Sequence, residues 1–153
     1  MVLLKKGDPN ACRIKNLQGN MLTQPIKLEF SSHPGLAMIY GGDCYGGQGT
    51  YMLIGYASSQ HVMNFLVSGE KTDEVKLQMI GKEDRYMELP GGDIRERNFL
   101  WLRTWHNDGH KGLSFAINKD GTISPYKQQG YAFGLEKADK NFRDLVANNK
   151  GWN

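Results

Sequence analysis

The sequence has no long apolar run. None of its uninterrupted apolar stretches approaches the roughly 18 residues that a membrane-spanning helix needs, so we expect no membrane span. The opening segment, residues 1–6, is too short in apolar length to act as a secretory signal. The sequence therefore leaves the compartment unknown, with a cytoplasmic location and secretion by a non-classical route both open.

Cysteine is scarce. The chain contains only Cys12 and Cys44, and no Cys-x-x-Cys pair occurs. Without that spacing the sequence lacks the usual ligand pattern of a structural zinc site. Two cysteines without a signal sequence more often remain free thiols, although a disulfide between them stays open. We expect no bound metal and no other cofactor.

The chain also lacks a concentrated basic segment. Its net charge is +3, and its Lys and Arg residues are scattered among Asp and Glu. Proteins that bind nucleic acids usually carry a concentrated basic surface. We therefore expect no nucleic-acid partner.

Glycine and short apolar segments are what the sequence has in abundance. The 19 glycines, with many Asn and Asp residues, divide the chain into short runs that are typical of an all-β domain. The clearest example is residues 99–124, where a strand with a period of two leads to a polar turn and a second strand, and an Asp-Gly turn follows. At 153 residues, we expect one domain, 1–153.

This pattern of strands and turns recurs along the chain. A Gly-Gly-Asp sequence ends at Asp43 and again at Asp93, each time after an apolar strand and before an aromatic-led one. A polar turn with a histidine follows in both copies, which aligns His61 with His110. A shorter copy lies upstream. The three units span approximately residues 12–43, 51–93 and 99–139, and a short amphipathic helix is expected over residues 138–148.

Three units of about four short strands resemble the lectin-like members of the β-trefoil superfamily, in which six strands close a barrel and three hairpins cap it. The resemblance covers residues 12–139 and implies a carbohydrate-binding module rather than an enzyme. It implies a glycan or glycoprotein as partner, and a homodimer is a candidate assembly. The Gln-x-Trp signature of ricin-B-like lectins is absent, since residues 37–39, 86–88 and 131–133 stand in its place. A two-sheet β-sandwich is the alternative fold.

The turn that follows the first strand of the third unit is the main candidate site. An aromatic ring can stack on the apolar face of a sugar, while Asp, Asn and His can bond its hydroxyl groups. The same residue types also suit a plain hairpin turn with its tryptophan in the core, and both interpretations stay open. The candidate ligand-binding residues in this turn are Trp105, His106, Asn107, Asp108 and His110.

Two other segments contribute candidate ligand-binding residues. In the Gly-rich stretch 41–49, Asp43 and Tyr45 are able to hold a hydroxylated ligand. The same stretch also fits a flexible connection between units. His61 belongs to a turn whose polar and aromatic composition is similar to that of the main candidate, which suggests a related, weaker site.

Two further classes of function stay open. A protein-binding trefoil, such as a protease inhibitor, would insert the loop 41–49 into its partner. A small enzyme would use Cys44 as a nucleophile, or a metal held by His106 and His110 together with Asp108. The sequence locates no base for Cys44, and the two histidines lie in a turn and not on a helix. We therefore assign no catalytic and no metal-binding residue.

Overall fold

The structure, a computed structural model, describes residues 1–14, 25–30, 34–47, 49–89, 93–98, 100–104 and 111–135. These residues form antiparallel strands joined by turns and short 3₁₀ segments, so the prediction of an all-β fold is confirmed. The helix predicted over residues 138–148 lies outside the described residues. Among the residues described, no helix has the length and apolar character needed to cross a membrane.

The described part of the chain contains twelve strands, and every pairing between them is antiparallel. They are β1 (Val2–Lys5), β2 (Cys12–Ile14), β3 (Leu28–Phe30), β4 (Leu36–Cys44), β5 (Gly49–Tyr56), β6 (Phe65–Lys71), β7 (Glu74–Met79), β8 (Arg85–Glu88), β9 (Trp101–Thr104), β10 (Phe115–Ile117), β11 (Ile123–Pro125) and β12 (Tyr131–Gly134). Strands β1 and β12 form one sheet, and the other ten form a second. Within the described residues neither sheet closes on itself.

Strand β7 shows why these segments are extended. Val75, Leu77 and Met79 are buried, whereas Lys76 and Gln78 between them are half-buried. One face of the strand therefore packs on the core and the other faces outward. Strand β4 differs, because residues 36–39 are all buried, as expected for a strand that is covered on both faces.

One hydrophobic core cluster joins the two ends of the described chain. Leu3 in the first strand and Phe133 in the last are both fully buried in it. The ring of Phe133 meets that of Phe115 edge to face, with 5.6 Å between centroids and 69° between planes. This geometry stabilises the contact beyond the burial of apolar area.

The first residues of the chain are more ordered than the sequence indicated. We expected a lead-in over residues 1–11, but β1 pairs in register with β12. On its other side, the backbone of Leu3 exchanges hydrogen bonds with Asn98 and Arg97, both of 2.7 Å. Four residues are too few to display a period of two, so this strand is defined by its tertiary partners rather than by its own pattern.

Two other segments have limits that differ from those predicted. The Gly-rich stretch 41–49 is not a separate connection, because β4 continues to Cys44 and β5 begins at Gly49. Pairing between the two strands keeps the glycines extended, and the 3₁₀ turn is confined to Tyr45–Gly47. The strand predicted from His61 begins only at Phe65, since residues 61–64 form a turn and an isolated bridge.

The same contacts recur at three places in the described chain. Hairpins form between β2 and β3, between β6 and β7, and between β10 and β11, while β4 pairs with β5, β8 with β9 and β12 with β1. A backbone hydrogen bond accompanies each of the last three pairs, from Tyr40 to His61 (2.9 Å), from Leu89 to Gly112 (2.8 Å) and from Leu135 to Asn10 (3.0 Å). By this bond, the residue that corresponds to His61 is Gly112, two positions after His110.

Candidate functional site

The structure describes part of the site that the sequence predicts. Asp43 and His61 are described with their side chains, whereas only the backbone of Tyr45 is described. The main candidate turn lies outside the described residues, with its members Trp105, His106, Asn107, Asp108 and His110. The site is therefore built here from the surroundings of Asp43 and His61.

A β-bulge brings four side chains to one face of the β4–β5 hairpin. Between two paired positions, β4 advances from Tyr40 to Asp43 while β5 moves only from Met52 to Thr50. Opposed residues of an antiparallel pair point to the same face of the sheet. These four residues, which we call the Asp43 face, therefore lie together. Gly42 makes the bulge possible, because its φ of 95° is readily adopted only by glycine.

Lys82, in the turn between β7 and β8, lies against the Asp43 face. Its Nζ donates a hydrogen bond to Oδ2 of Asp43 at 3.0 Å and lies 5.8 Å from the centroid of the Tyr40 ring. The hydroxyl of Tyr40 donates to Oδ1 of Asp43 at 3.1 Å. The side chains of Asp43 and Lys82 remain 38% and 32% exposed. A ligand in solution can therefore reach a hydrogen-bond acceptor and a donor beside an aromatic ring.

The Asp43–Lys82 contact shifts the pKa of both groups. The hydrogen bond from Lys82 is the main cause that lowers the pKa of Asp43 below its ordinary value, and the same bond raises the pKa of Lys82. Both groups are therefore charged at neutral pH. Because both are well exposed to solvent, the pair adds little to stability, and its effect is to hold the two side chains in place.

Arg85 ties the tip of the hairpin to strand β8. Its side chain is only 6% exposed, and its guanidinium donates to the carbonyl of Gly47 and pairs with Asp84. The backbone N–H of Arg85 donates to the carbonyl of Lys82 at 3.0 Å. Arg85 thus holds both the hairpin tip and the turn that carries Lys82. The prediction of a solvated turn over residues 82–85 is wrong for Arg85, since this residue begins β8 and its side chain is buried.

His61 lies beside the Asp43 face through its backbone. Its carbonyl accepts the hydrogen bond from Tyr40, and its own N–H donates to Oγ of Ser59 at 3.0 Å. The His61 side chain is exposed. The structure therefore brings two of the predicted residues, Asp43 and His61, to a common neighbour, Tyr40.

Three residues of this site were missed from the sequence. Tyr40 was placed at the end of a buried strand, Thr50 had no assigned role, and Lys82 was assigned to a solvated charged turn. The contact between Lys82 and Asp43 spans 39 residues, so no local spacing predicts it. A usable signal was present in the order Tyr-Gly-Gly-Asp, because paired glycines inside a strand are typical of a bulge that re-aims its neighbours.

The described residues offer little for metal or thiol chemistry. In the ranges that the structure describes, no group of three or more His, Cys, Asp or Glu residues is placed to hold a metal ion. Cys12 is a free and fully buried thiol, and its burial raises its pKa to about 12. The thiolate that nucleophilic attack requires is therefore scarce at neutral pH.

Comparison of the chain with protein-family models, with curated proteins and with solved structures gave no match. The geometry of the Asp43 face is therefore the main ground for assigning a function.

Proposed function

We propose that this protein is a carbohydrate-binding module that holds a glycan at the Asp43 face. The observation that carries the proposal is the cluster of Tyr40, Asp43 and Lys82. It presents an aromatic ring, a carboxylate acceptor and an ammonium donor within one exposed neighbourhood. Sugar recognition uses these groups, since hydroxyls need both donors and acceptors and the pyranose ring has an apolar face. Because the cluster is already assembled, binding costs little ordering of side chains.

The turn at residues 105–110 is kept as a second contributor to glycan binding. Thr104, the residue before this turn, pairs with Arg85, and Arg103 pairs with Gly49 at the start of β5. The chain therefore enters the turn from the part of the sheet where Arg85 holds the hairpin tip. This position supports a contribution from Trp105 and Asp108 to the same glycan site.

For the fold, we propose a β-trefoil. Its support is the repetition described above: the twelve strands fall into three groups of four, and each group repeats the same hairpin and the same junction to the next group. A β-sandwich gives no reason for one backbone hydrogen bond to recur three times. An experimental structure tests the proposal, which expects the three units to superpose about a threefold axis. Two stacked sheets without that axis would contradict it.

A glycan array followed by titration tests the proposed function. The array identifies a ligand, and tryptophan fluorescence then follows its binding to the wild-type protein, Asp43→Ala and Trp105→Ala. We expect at least one sugar to bind, and both variants to bind it more weakly. The carbohydrate proposal fails if no sugar produces a response and Trp105→Ala behaves as wild type.

A protein-binding module, such as a protease inhibitor, is the second candidate. The observation that favours it is the tip of the β4–β5 hairpin, where Gly46 and Gly47 are exposed while Arg85 fixes the carbonyl of Gly47. An exposed loop with a fixed backbone is what insertion into a partner requires. A panel of proteases separates the two candidates, because inhibition that is lost in Arg85→Ala, without any sugar response, would favour the inhibitor.

A further inference from the structure

We propose that the hydroxyl of Thr50 is a specificity-determining contact of the Asp43 face, which bonds the second of two adjacent hydroxyl groups on the ligand. This inference rests on the proposed carbohydrate function. It adds a ligand class, namely sugars with two neighbouring free hydroxyls, of which one bonds Asp43 and the other bonds Thr50.

The first observation is that Thr50 has an unused hydroxyl. Thr50 is 5% exposed, and its Oγ1 is buried without a hydrogen-bond partner in the described part of the chain. Buried hydroxyl groups are nearly always bonded, because leaving one unpaired costs stability. Two other buried hydroxyls follow that rule, since Asn118 bonds both Thr122 and Ser124, at 3.0 and 2.8 Å. The exception at Thr50 therefore calls for a partner from outside the chain.

The second observation is where this hydroxyl lies. Thr50 is directly opposite Asp43 in the β4–β5 ladder and shares its face. The Cα atoms of such a pair are about 4.5–5.5 Å apart, so two adjacent hydroxyls of one sugar ring can reach both side chains. The hydroxyl of Tyr40 is already engaged with Asp43. Thr50 is thus the member of the Asp43 face whose polar group is still available.

Lys82 is the group that makes room for the ligand. It comes from another part of the chain and contacts both Asp43 and the ring of Tyr40. Its ammonium sits on a flexible stem and is partly solvated, so it can move aside at low cost. A ligand hydroxyl then replaces Lys82 at one oxygen of Asp43, and its neighbour reaches Thr50.

The test uses Thr50→Val, with Thr50→Ser as the matched control. Valine keeps the shape of threonine and removes the hydroxyl, while serine keeps the hydroxyl. Affinity for the best sugar from the array is measured by calorimetry, and stability by thermal unfolding. We expect Thr50→Val to melt at the same or a higher temperature, because it removes an unpaired buried group, and to bind about tenfold more weakly. We expect Thr50→Ser to bind like wild type.

Singly deoxygenated forms of the same sugar sharpen this test. Wild type should bind one of them about tenfold more weakly than the parent sugar, and Thr50→Val should bind the two equally. If Thr50→Val does not fold, Thr50→Ala replaces it in both measurements. Wild-type affinity in the variant, or equal discrimination by both proteins, overturns the inference while leaving carbohydrate binding intact. Absence of any sugar binding by wild type overturns the proposed function itself.

Discussion

Two hairpins of this protein place an aspartate near the tip and use it in different ways. In the β10–β11 turn, Oδ1 of Asp120 accepts hydrogen bonds from the N–H of Thr122 at 3.0 Å and from its hydroxyl at 2.6 Å. Asn118 bonds the hydroxyls of Thr122 and Ser124. The polar groups of this turn are thus satisfied by residues a few positions away, as expected for an Asp-Gly hairpin turn.

The β4–β5 hairpin is organised differently. Asp43 is bonded by Lys82, which lies 39 residues away, and Thr50 opposite it keeps a buried hydroxyl without a partner in the described residues. The pKa of Asp120 is also lowered, but there the main cause is the neutral hydroxyl of Thr122. The comparison teaches that a local, closed network indicates a structural turn, whereas a distant charged partner beside an unused polar group indicates a site.

Replacing Asp43 with alanine should give the largest separation between the two hairpins. We expect sugar affinity to fall roughly 10- to 100-fold, because a charged acceptor is lost from the site, while the melting temperature stays close to that of wild type. Calorimetry and thermal unfolding measure the two effects. Asp73→Ala removes an exposed carboxylate from another turn and is the control. Equal affinity of Asp43→Ala and Asp73→Ala would remove the site from this hairpin.

Replacing Asn118 with alanine should have the opposite profile. It leaves two buried hydroxyls without their donor, so we expect about 1–3 kcal/mol less stability in denaturant unfolding and no change in sugar affinity. Asn64→Ala is the control, since Asn64 makes one longer bond of 3.4 Å. A loss of affinity in Asn118→Ala at full folding would show that the β10–β11 turn also contacts ligand.

Replacing Lys82 with methionine should raise the pKa of Asp43 toward its ordinary value. In wild type this pKa is lowered, so the carboxylate and its contribution to stability and binding are present above the ordinary value and are lost as the pH falls through the lowered one. In Lys82→Met that loss should begin at a higher pH. Carboxyl chemical shifts across an acid titration measure the change, and the pKa of Asp120 serves as internal control. An unchanged Asp43 pKa would mean that Lys82 does not hold the carboxylate in solution.

High salt should produce the smallest effect. At 1 M salt the screening length is about 3 Å, so the influence of Lys82 on an exposed carboxylate weakens. The pKa of Asp43 should rise toward its ordinary value more than that of Asp120, whose main donor is uncharged. The same acid titration, repeated at low and high salt, checks this. Equal responses would mean that the two aspartates are held in the same way.

Much of the fold could be predicted from local patterns. The alternation in β7 and the Asp-Gly turn at Asp120 are properties of a few adjacent residues, and the structure confirms both. Strand β1 and the burial of Arg85 could not be predicted, because each depends on partners far away in the sequence. The alignment of His61 with His110 missed by two positions, since residue types suggested a correspondence that backbone hydrogen bonds place at Gly112.

The candidate site was predicted only in part for the same reason. Asp43 and His61 were recognised by residue type, and the structure brings both to Tyr40. Thr50 and Lys82 have no distinguishing local pattern, and their roles appear only when the bulge and the β7–β8 turn are placed in space. The contribution of residues 105–110 stays a prediction, because they lie outside the described residues.

Chemical-shift mapping during a sugar titration tests most directly whether the Asp43 face binds carbohydrate. Backbone amide shifts of the wild-type protein are followed while the best ligand from the array is added. We predict that the largest shifts fall on Tyr40, Asp43, Thr50 and Lys82, and that residues 118–122 do not move. Shifts confined to other parts of the chain, or the absence of any shift with every sugar tried, would contradict the assignment of this face as the binding site.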